Sequence, residues 1–258
     1  MSHLLKSNSG DDLAYDLIAP KQSDGAGTWV IFLTGYRSDR QGGKALHLEA
    51  LARERGFGII RFDFFAHGDS PGDFLEGTIS RWTQNAVDVI DQLTGSDKVI
   101  LAGSSMGGWV MLRAALARPE KVAGLLGIAA APDFTHDLML PKFTDEERAQ
   151  LASQGFIAQP TPYDDQPYLI SRALLDDGRN CLLLGGPIDI NCPVSLVHGD
   201  RDEDVPLSTV ERFTRLLQSQ DVYLTRIKDG EHRLSRNRDL DCIADALRSV
   251  FMRAGREW

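Results

Sequence analysis

Lys98-Val99-Ile100-Leu101-Ala102-Gly103-Ser104-Ser105-Met106-Gly107 runs from an apolar strand into a helix through a G-x-S-x-G turn. The strand reads Lys98 to Ala102, and the helix runs from Met106 to Arg118, where Pro119 stops it. A serine in such a turn is held in a strained backbone conformation, with its hydroxyl exposed at the top of the sheet. Larger side chains two positions either side would clash, and Gly103 and Gly107 remove them. Ser104 fails the same test, because Ala102 and Met106 flank it at that spacing. Ser105 is therefore the candidate nucleophile.

Outward from this turn, strands and helices alternate. Leu13, Tyr15 and Leu17 share one face of a strand after a Gly10-Asp11 turn. Thr28 to Leu33 is a nearly continuous apolar run, as expected of a strand buried on both faces. Lys44 to Arg55 reads as a helix ended by Gly56, and Gly58 to Phe62 as the next strand. Ile79, Trp82, Ala86, Val89, Ile90 and Leu93 recur with helical period. Val122 to Ala129, Val194 to His198 and Val222 to Ile227 are further strands. Ser208-x-x-Glu211 has the form of a capping box opening a helix. Leu240, Ile243, Leu247, Val250 and Phe251 mark a last helix. This alternation predicts an α/β fold: a mostly parallel central sheet with helices on both faces. No internal repeat or low-complexity tract interrupts it.

Residues 133 to 191 separate two core strands by far more than an ordinary connection. The expected organisation is a core domain of residues 1–132 and 192–258 with a small helical cap, 133–191, inserted. Thr144-x-x-Glu147 is a capping box, with Gly155 as the stop. Pro167 fits the first turn of a second helix ending near Asp176-Asp177-Gly178. Met139, Leu140, Phe143, Phe156, Ile157, Tyr163 and Tyr168 give the insertion an apolar side. These residues are either its own core or the lining of an acyl pocket.

A serine hydroxyl needs a base. Of six histidines, only His232 follows the last strand, in Asp229-Gly230-Glu231-His232. Chain order in this architecture is serine, acid, histidine, so His232 is the expected base. The acid falls in His198-Gly199-Asp200-Arg201-Asp202-Glu203-Asp204-Val205-Pro206. Asp202 fits best by its spacing from Val205-Pro206. Asp200, Asp204 and Asp133 stay open as alternatives. The oxyanion hole requires two backbone N–H donors: Met106, after the nucleophile, and Tyr36, in the turn Thr34-Gly35-Tyr36.

Other chemistries find no support. The D-x-D-x-D run resembles a calcium loop, with Glu211 at its twelfth position, but Val205 replaces the turn glycine and Pro206 follows. No G-x-G-x-x-G or Gly-Lys-Ser marks a nucleotide site. No metal and no cofactor are expected. The chain has 258 residues, 42% hydrophobic and 25% charged, with net charge −9. That balance allows a sizeable core and repels phosphate backbones, so nucleic acid is not an expected partner. No stretch is apolar enough to span a bilayer. The N-terminus has neither a signal nor a transit pattern. Cys181, Cys192 and Cys242 are odd in number and lack metal spacing. Free thiols and a cytoplasmic location are expected. The oligomeric state is not legible.

Together these residues resemble the α/β-hydrolase superfamily over nearly the whole chain. More narrowly, it resembles the abhydrolase-domain palmitoyl-protein thioesterase and acyl-glucuronide esterase family. Gly35-Tyr36-Arg37-Ser38-Asp39, Lys44-Ala45, Ile60-Arg61-Phe62-Asp63 and Gly103 to Trp109 carry the resemblance, as do Ala117 to Val122, Asn191-Cys192-Pro193 and His198-Gly199. It implies a cofactor-free serine hydrolase with Ser105, Asp202 and His232 as its triad. The implied substrates are carboxyl esters or acyl thioesters, small or protein-borne. A carbon–carbon or lactone hydrolase on the same triad is the alternative. A non-catalytic ligand receptor on the same scaffold is a second.

Overall fold

The structure, a computed structural model, describes residues 3–21, 27–161 and 166–258. Among the described residues ten strands form: β1 (His3–Lys6), β2 (Asp12–Ile18), β3 (Thr28–Leu33), β4 (Gly58–Phe62), β5 (Lys98–Ser104), β6 (Val122–Ile128), β7 (Phe156–Gln159), β8 (Tyr168–Ser171), β9 (Val194–Gly199) and β10 (Val222–Ile227). The same described residues form seven α-helices: α1 (Gly43–Arg55), α2 (Ile79–Leu93), α3 (Met106–Ala117), α4 (Asp145–Gln154), α5 (Arg172–Asn180), α6 (Leu207–Leu216) and α7 (Asn237–Arg253).

Eight strands form one sheet in the order β1-β2-β4-β3-β5-β6-β9-β10. The pairings from β4 to β10 are parallel, and those of β1 with β2 and of β2 with β4 are antiparallel. The mostly parallel sheet expected from the alternation is thus present.

Alternate residues of the central strands feed two cores, as the pleat requires. Ile31, Leu33, Ile60, Phe62 and Leu101 face α2 and α3, where Trp82 and Trp109 are fully buried. Val30, Phe32, Ile59, Ile100 and Val197 face α1 and α7, against Leu48, Ile243, Leu247 and Phe251. These strands are mostly apolar because both their faces are covered, and polar exceptions such as Arg61, Ser195 and His198 are buried too. The antiparallel edge is less enclosed: Leu13 of β2 is buried, whereas Leu17 is exposed.

The insertion between β6 and β9 opens with a π-helical turn, Thr135–Met139, and a 3₁₀ turn, Leu140–Lys142. The Thr144/Glu147 capping box forms, and Gly155 ends α4 in the left-handed conformation (φ +82°). Two expectations are corrected. Pro167 does not open a helix. It precedes β8, which pairs with β7 in a hairpin, and α5 starts later, capped by the Ser171 hydroxyl on the Leu174 amide. Ser208 and Glu211 form no capping box, because the cap position of α6 falls on Pro206, which has no side-chain acceptor.

Phe143, Ile157, Ile170 and Leu175 make the insertion's own small core. Leu174, Cys181, Leu184, Ile188 and Ile190 pack into the main core. Tyr163 lies outside the described residues. Among the described residues no helix is long and apolar enough to cross a membrane.

Candidate active site

The loops after β3, β5, β9 and β10 all leave the carboxyl edge of the sheet, where ligands bind in open α/β folds. Ser105 follows β5 at φ +53°, ψ −119°, a conformation costing about 1–3 kcal/mol for a residue with a Cβ. The crowding expected at the flanking glycines is real. A Cβ on Gly107 would lie 2.1 Å from the Leu33 carbonyl oxygen, and one on Gly103 2.4 Å from that of Gly107. Ser104 is buried within β5.

The structure sets Ser105, His232 and Asp202 in one hydrogen-bonded row. His232 Nε2 is 3.0 Å from Ser105 Oγ, and Nδ1 is 2.8 Å from Asp202 Oδ2. Asp202 Oδ1 accepts the amides of Asp204 (3.0 Å) and Val205 (2.8 Å). With the carboxylate accepting throughout, Nδ1 carries the imidazole proton and Nε2 accepts from the serine. The other acidic residues have different partners. Asp200 accepts the Asp229 amide at 2.6 Å, tying together the loops after β9 and β10. Asp133 accepts the amides of Leu183 and Leu184 at 2.8–3.0 Å, joining the two ends of the insertion.

Gly35 and Tyr36 turn the chain after β3. A Cβ on Gly35 would lie 3.4 Å from Ser105 Cβ, so this turn passes directly beside the serine. Met106 opens α3, and the first helical turn leaves its amides without intrahelical acceptors. The Tyr36 amide has no backbone acceptor among the described residues. Tyr36 and Met106, the two residues expected to supply oxyanion donors, thus lie with Ser105 at the cavity.

A cavity of about 610 Å³ opens over the row, lined by Ser105, His232, Tyr36 and Met106. Phe134, Leu138, Met139 and Tyr168 supply apolar wall, and Ser38, Asp39, Lys44 and Ser235 a polar one. The open question about the insertion's apolar residues thus divides: Met139 and Tyr168 line the cavity, whereas Phe143 and Ile157 belong to the local core. Asp202, Asp204 and His232 offer three possible metal-ligand atoms within 4.8 Å of one another. Within that set the Asp202 carboxylate is already engaged, by His232 Nδ1 on Oδ2 and by the Asp204 and Val205 amides on Oδ1.

Some supporting residues escape a reading of the sequence. Lys44 Nζ donates to the Arg233 carbonyl at 2.6 Å, and burial pushes its pKa down to about 8. Arg40, in the Tyr36 loop, donates its amide (2.6 Å) and its guanidinium to the buried carboxylate of Asp63, at the end of β4. Arg40 also pairs with Asp16 and Asp69. His198 lies under the row, its Nε2 donating to the Val205 carbonyl at 2.9 Å. Burial holds its pKa below the usual histidine range.

This sheet, the turn at Ser105 and the row of side chains above it define an α/β hydrolase. The chain belongs to the alpha/beta hydrolase family, whose profile matches residues 25–240. It is similar to the mitochondrial palmitoyl-protein thioesterase ABHD10 of Homo sapiens: 34% identical over 230 residues, 88% of this chain and 74% of that protein. Two solved structures share its fold closely. A putative hydrolase from Agrobacterium vitis S4 is 40% identical with a TM-score of 0.91, covering 97% of this chain and 98% of that one. Mouse alpha/beta hydrolase domain-containing protein 10 is 30% identical with a TM-score of 0.86, covering 98% of each. The family resemblance read from the sequence is borne out.

Proposed function

We propose that this chain hydrolyses carboxyl esters or acyl thioesters through an acyl-enzyme on Ser105. The observation that carries the reading is the row of 3.0 Å and 2.8 Å contacts from Ser105 through His232 to Asp202. Ser105 attacks the acyl carbonyl while His232 Nε2 takes the hydroxyl proton. Asp202 holds the tautomer and stabilises the imidazolium. The Met106 and Tyr36 amides receive the tetrahedral oxyanion. His232 then returns the proton to the leaving alcohol or thiol, and water repeats the cycle to release the acid.

Residues 133–191 act in this reading as a cap on a core of residues 1–132 and 192–258. Their apolar cavity wall takes the acyl chain, as the thioesterase relative's name also supports. Cys181, Cys192 and Cys242 are free thiols, in keeping with a reducing compartment, for which the cytoplasm is our assignment.

The test is fluorophosphonate labelling followed by a product panel. Ser105 is expected to carry the label, and Ser105→Ala to abolish both labelling and turnover of p-nitrophenyl and acyl-thioester substrates. An unlabelled wild-type chain with no turnover would favour a receptor. Turnover confined to lactones or carbon–carbon bonds would move the reading to that class of hydrolase.

A further inference from the structure

Tyr36 is used twice. Its backbone belongs to the turn that passes beside Ser105, and its side chain reaches into the cap. The phenol Oη donates to the main-chain carbonyl of Leu169 on β8. Leu169 pairs with Ala158 of β7 on one side of the hairpin, so the bond to Tyr36 satisfies a carbonyl on the hairpin's other edge. The Tyr36 ring is enclosed by rings from both bodies. Phe74 and Trp82 of the core lie at 5.0 and 6.0 Å between centroids, and Phe134 and Tyr168 at 6.1 and 5.7 Å. Burial pushes the phenol pKa far above its ordinary value, so the hydroxyl remains a donor. Beyond Tyr36, the loop is anchored through Arg40 on Asp63.

We propose that the Tyr36 side chain is a positioning residue that couples the cap hairpin to the oxyanion site, by holding its own backbone amide in place through the bond to Leu169. The argument is one of rigid geometry. An oxyanion donor works only within a few tenths of an ångström of the place where charge develops. Arg40 fixes the far end of the loop, four residues away, and the Ser38 amide closes the turn on the Gly35 carbonyl at 3.1 Å; the phenol bond to Leu169 is the tie that reaches Tyr36 itself from the cap. The tie runs to β8, whose Tyr168 lines the cavity. Seating of the hairpin therefore sets the turnover step, and not only access to the cavity. This rests on the hydrolase reading above.

The experiment uses Tyr36→Phe, which removes one hydroxyl and keeps the amide and the ring. With p-nitrophenyl acetate, too short to reach the hairpin, kcat is expected to fall about tenfold with KM within twofold. That is a fraction of the 10²–10³ lost when an oxyanion donor is deleted outright. Affinity for a trifluoromethyl ketone, which forms a tetrahedral adduct, should weaken by the same factor. A second variant removes the acceptor instead, by replacing residues 157–170 with a short Gly/Ser linker. It should show the same loss on acetyl ester, and adding Tyr36→Phe to it should cost nothing more. Unchanged kcat and ketone affinity in Tyr36→Phe, whatever its melting temperature, would reduce the bond to scaffolding and overturn the proposal. So would full additivity in the double variant. A wild-type chain that fluorophosphonate does not label overturns the hydrolase reading itself, whereas a labelled chain indifferent to Tyr36→Phe overturns the coupling alone.

Discussion

Asp202 meets His232 with one carboxylate oxygen and holds its own loop with the other. Oδ2 lies 2.8 Å from His232 Nδ1, while Oδ1 accepts the Asp204 and Val205 amides. The division of labour sets the outcome of an isosteric change. In Asp202→Asn the remaining oxygen is claimed by the two amides, so the new NH₂ faces His232. A donor there forces the proton onto Nε2, the nitrogen that must accept from Ser105. The expected loss is roughly 10⁴-fold in kcat with the fold intact. Asp200→Asn and Asp204→Asn should stay within about tenfold in the same assay. A greater loss at either neighbour than at Asp202 would reassign the acid.

A second prediction concerns Asp63, which is fully buried and holds the Tyr36 loop through Arg40. Asp63→Ala leaves the buried Arg40 guanidinium and two amides, those of Arg40 and Asp69, short of an acceptor. Removing one partner of a buried pair costs about 3–5 kcal/mol. Asp69 also pairs with Arg40 but is 71% exposed, so Asp69→Ala should cost less than about 1 kcal/mol. Urea unfolding of the two variants checks the contrast. Equal losses would mean that Arg40 is held by its exposed partners.

A third prediction is a dependence of stability on pH. His67 is 3% exposed, and burial pushes its pKa down to about 4 from the ordinary 6.5. Its Nδ1 donates to the Phe65 carbonyl at 3.1 Å, and Nε2 is buried without a partner among the described residues. Phe64, Phe74 and Trp82 surround the ring. The folded state therefore holds a neutral imidazole. Between pH 6.5 and 4 the unfolded chain binds the proton and the folded chain does not, so stability is complete above 6.5 and falls as pH drops toward 4. The His67 share is on the order of 3 kcal/mol. His198, also held below its usual range, acts in the same direction. In His67→Phe the Phe65 carbonyl keeps Trp82 Nε1 as a donor at 3.1 Å. Wild-type stability should fall relative to this variant's by about 3 kcal/mol from pH 7 to pH 4, read by urea titration at each pH. A constant difference would mean that His67 takes up its proton as readily in the folded chain as in the unfolded one.

The contrast between core and insertion shows what a sequence can carry. The central strands are legible because Thr28–Leu33 and Val194–Gly199 are buried at every position, so that β3 is a nearly continuous apolar run and β9 is interrupted only by Ser195 and His198. Ser105 is legible because the turn demands its two glycines, and His232 because the chain order leaves no other histidine after the last strand; Asp202 is favoured over Asp133, Asp200 and Asp204 only by its spacing from Val205-Pro206. The insertion is less so. Pro167 suits a helix start and a strand start equally, and only the pairing of β7 with β8 decides between them. The Ser171 cap that begins α5 has no glutamate or glutamine three residues on to announce it. Arg40 with Asp63, and Tyr36 with Leu169, are contacts between loops far apart in the chain, and neither partner has a local pattern pointing to the other.

The last prediction concerns the cavity's two walls. If Leu138 and Met139 of the insertion receive the acyl chain while Ser38 and Ser235 face the leaving group, bulk added on one side should be felt by one half of the substrate. Each methylene buried from water contributes up to about 0.8 kcal/mol, or roughly fourfold in kcat/KM. The wild type should therefore gain activity with each added acyl carbon until the cavity is filled. Met139→Trp shortens the space at the apolar wall. Acetyl ester turnover should change by less than about twofold, while the gain should level off several carbons earlier and cost the longest chains at least tenfold. Ser38→Trp, on the polar wall, should leave the chain-length slope intact and discriminate among leaving groups instead. The measurement is kcat/KM across one series of acyl lengths and a second series of alcohols and thiols at fixed acyl length. If Met139→Trp keeps the wild-type slope, the insertion does not hold the acyl chain, and the chain must run between the core loops near Tyr36 and Lys44.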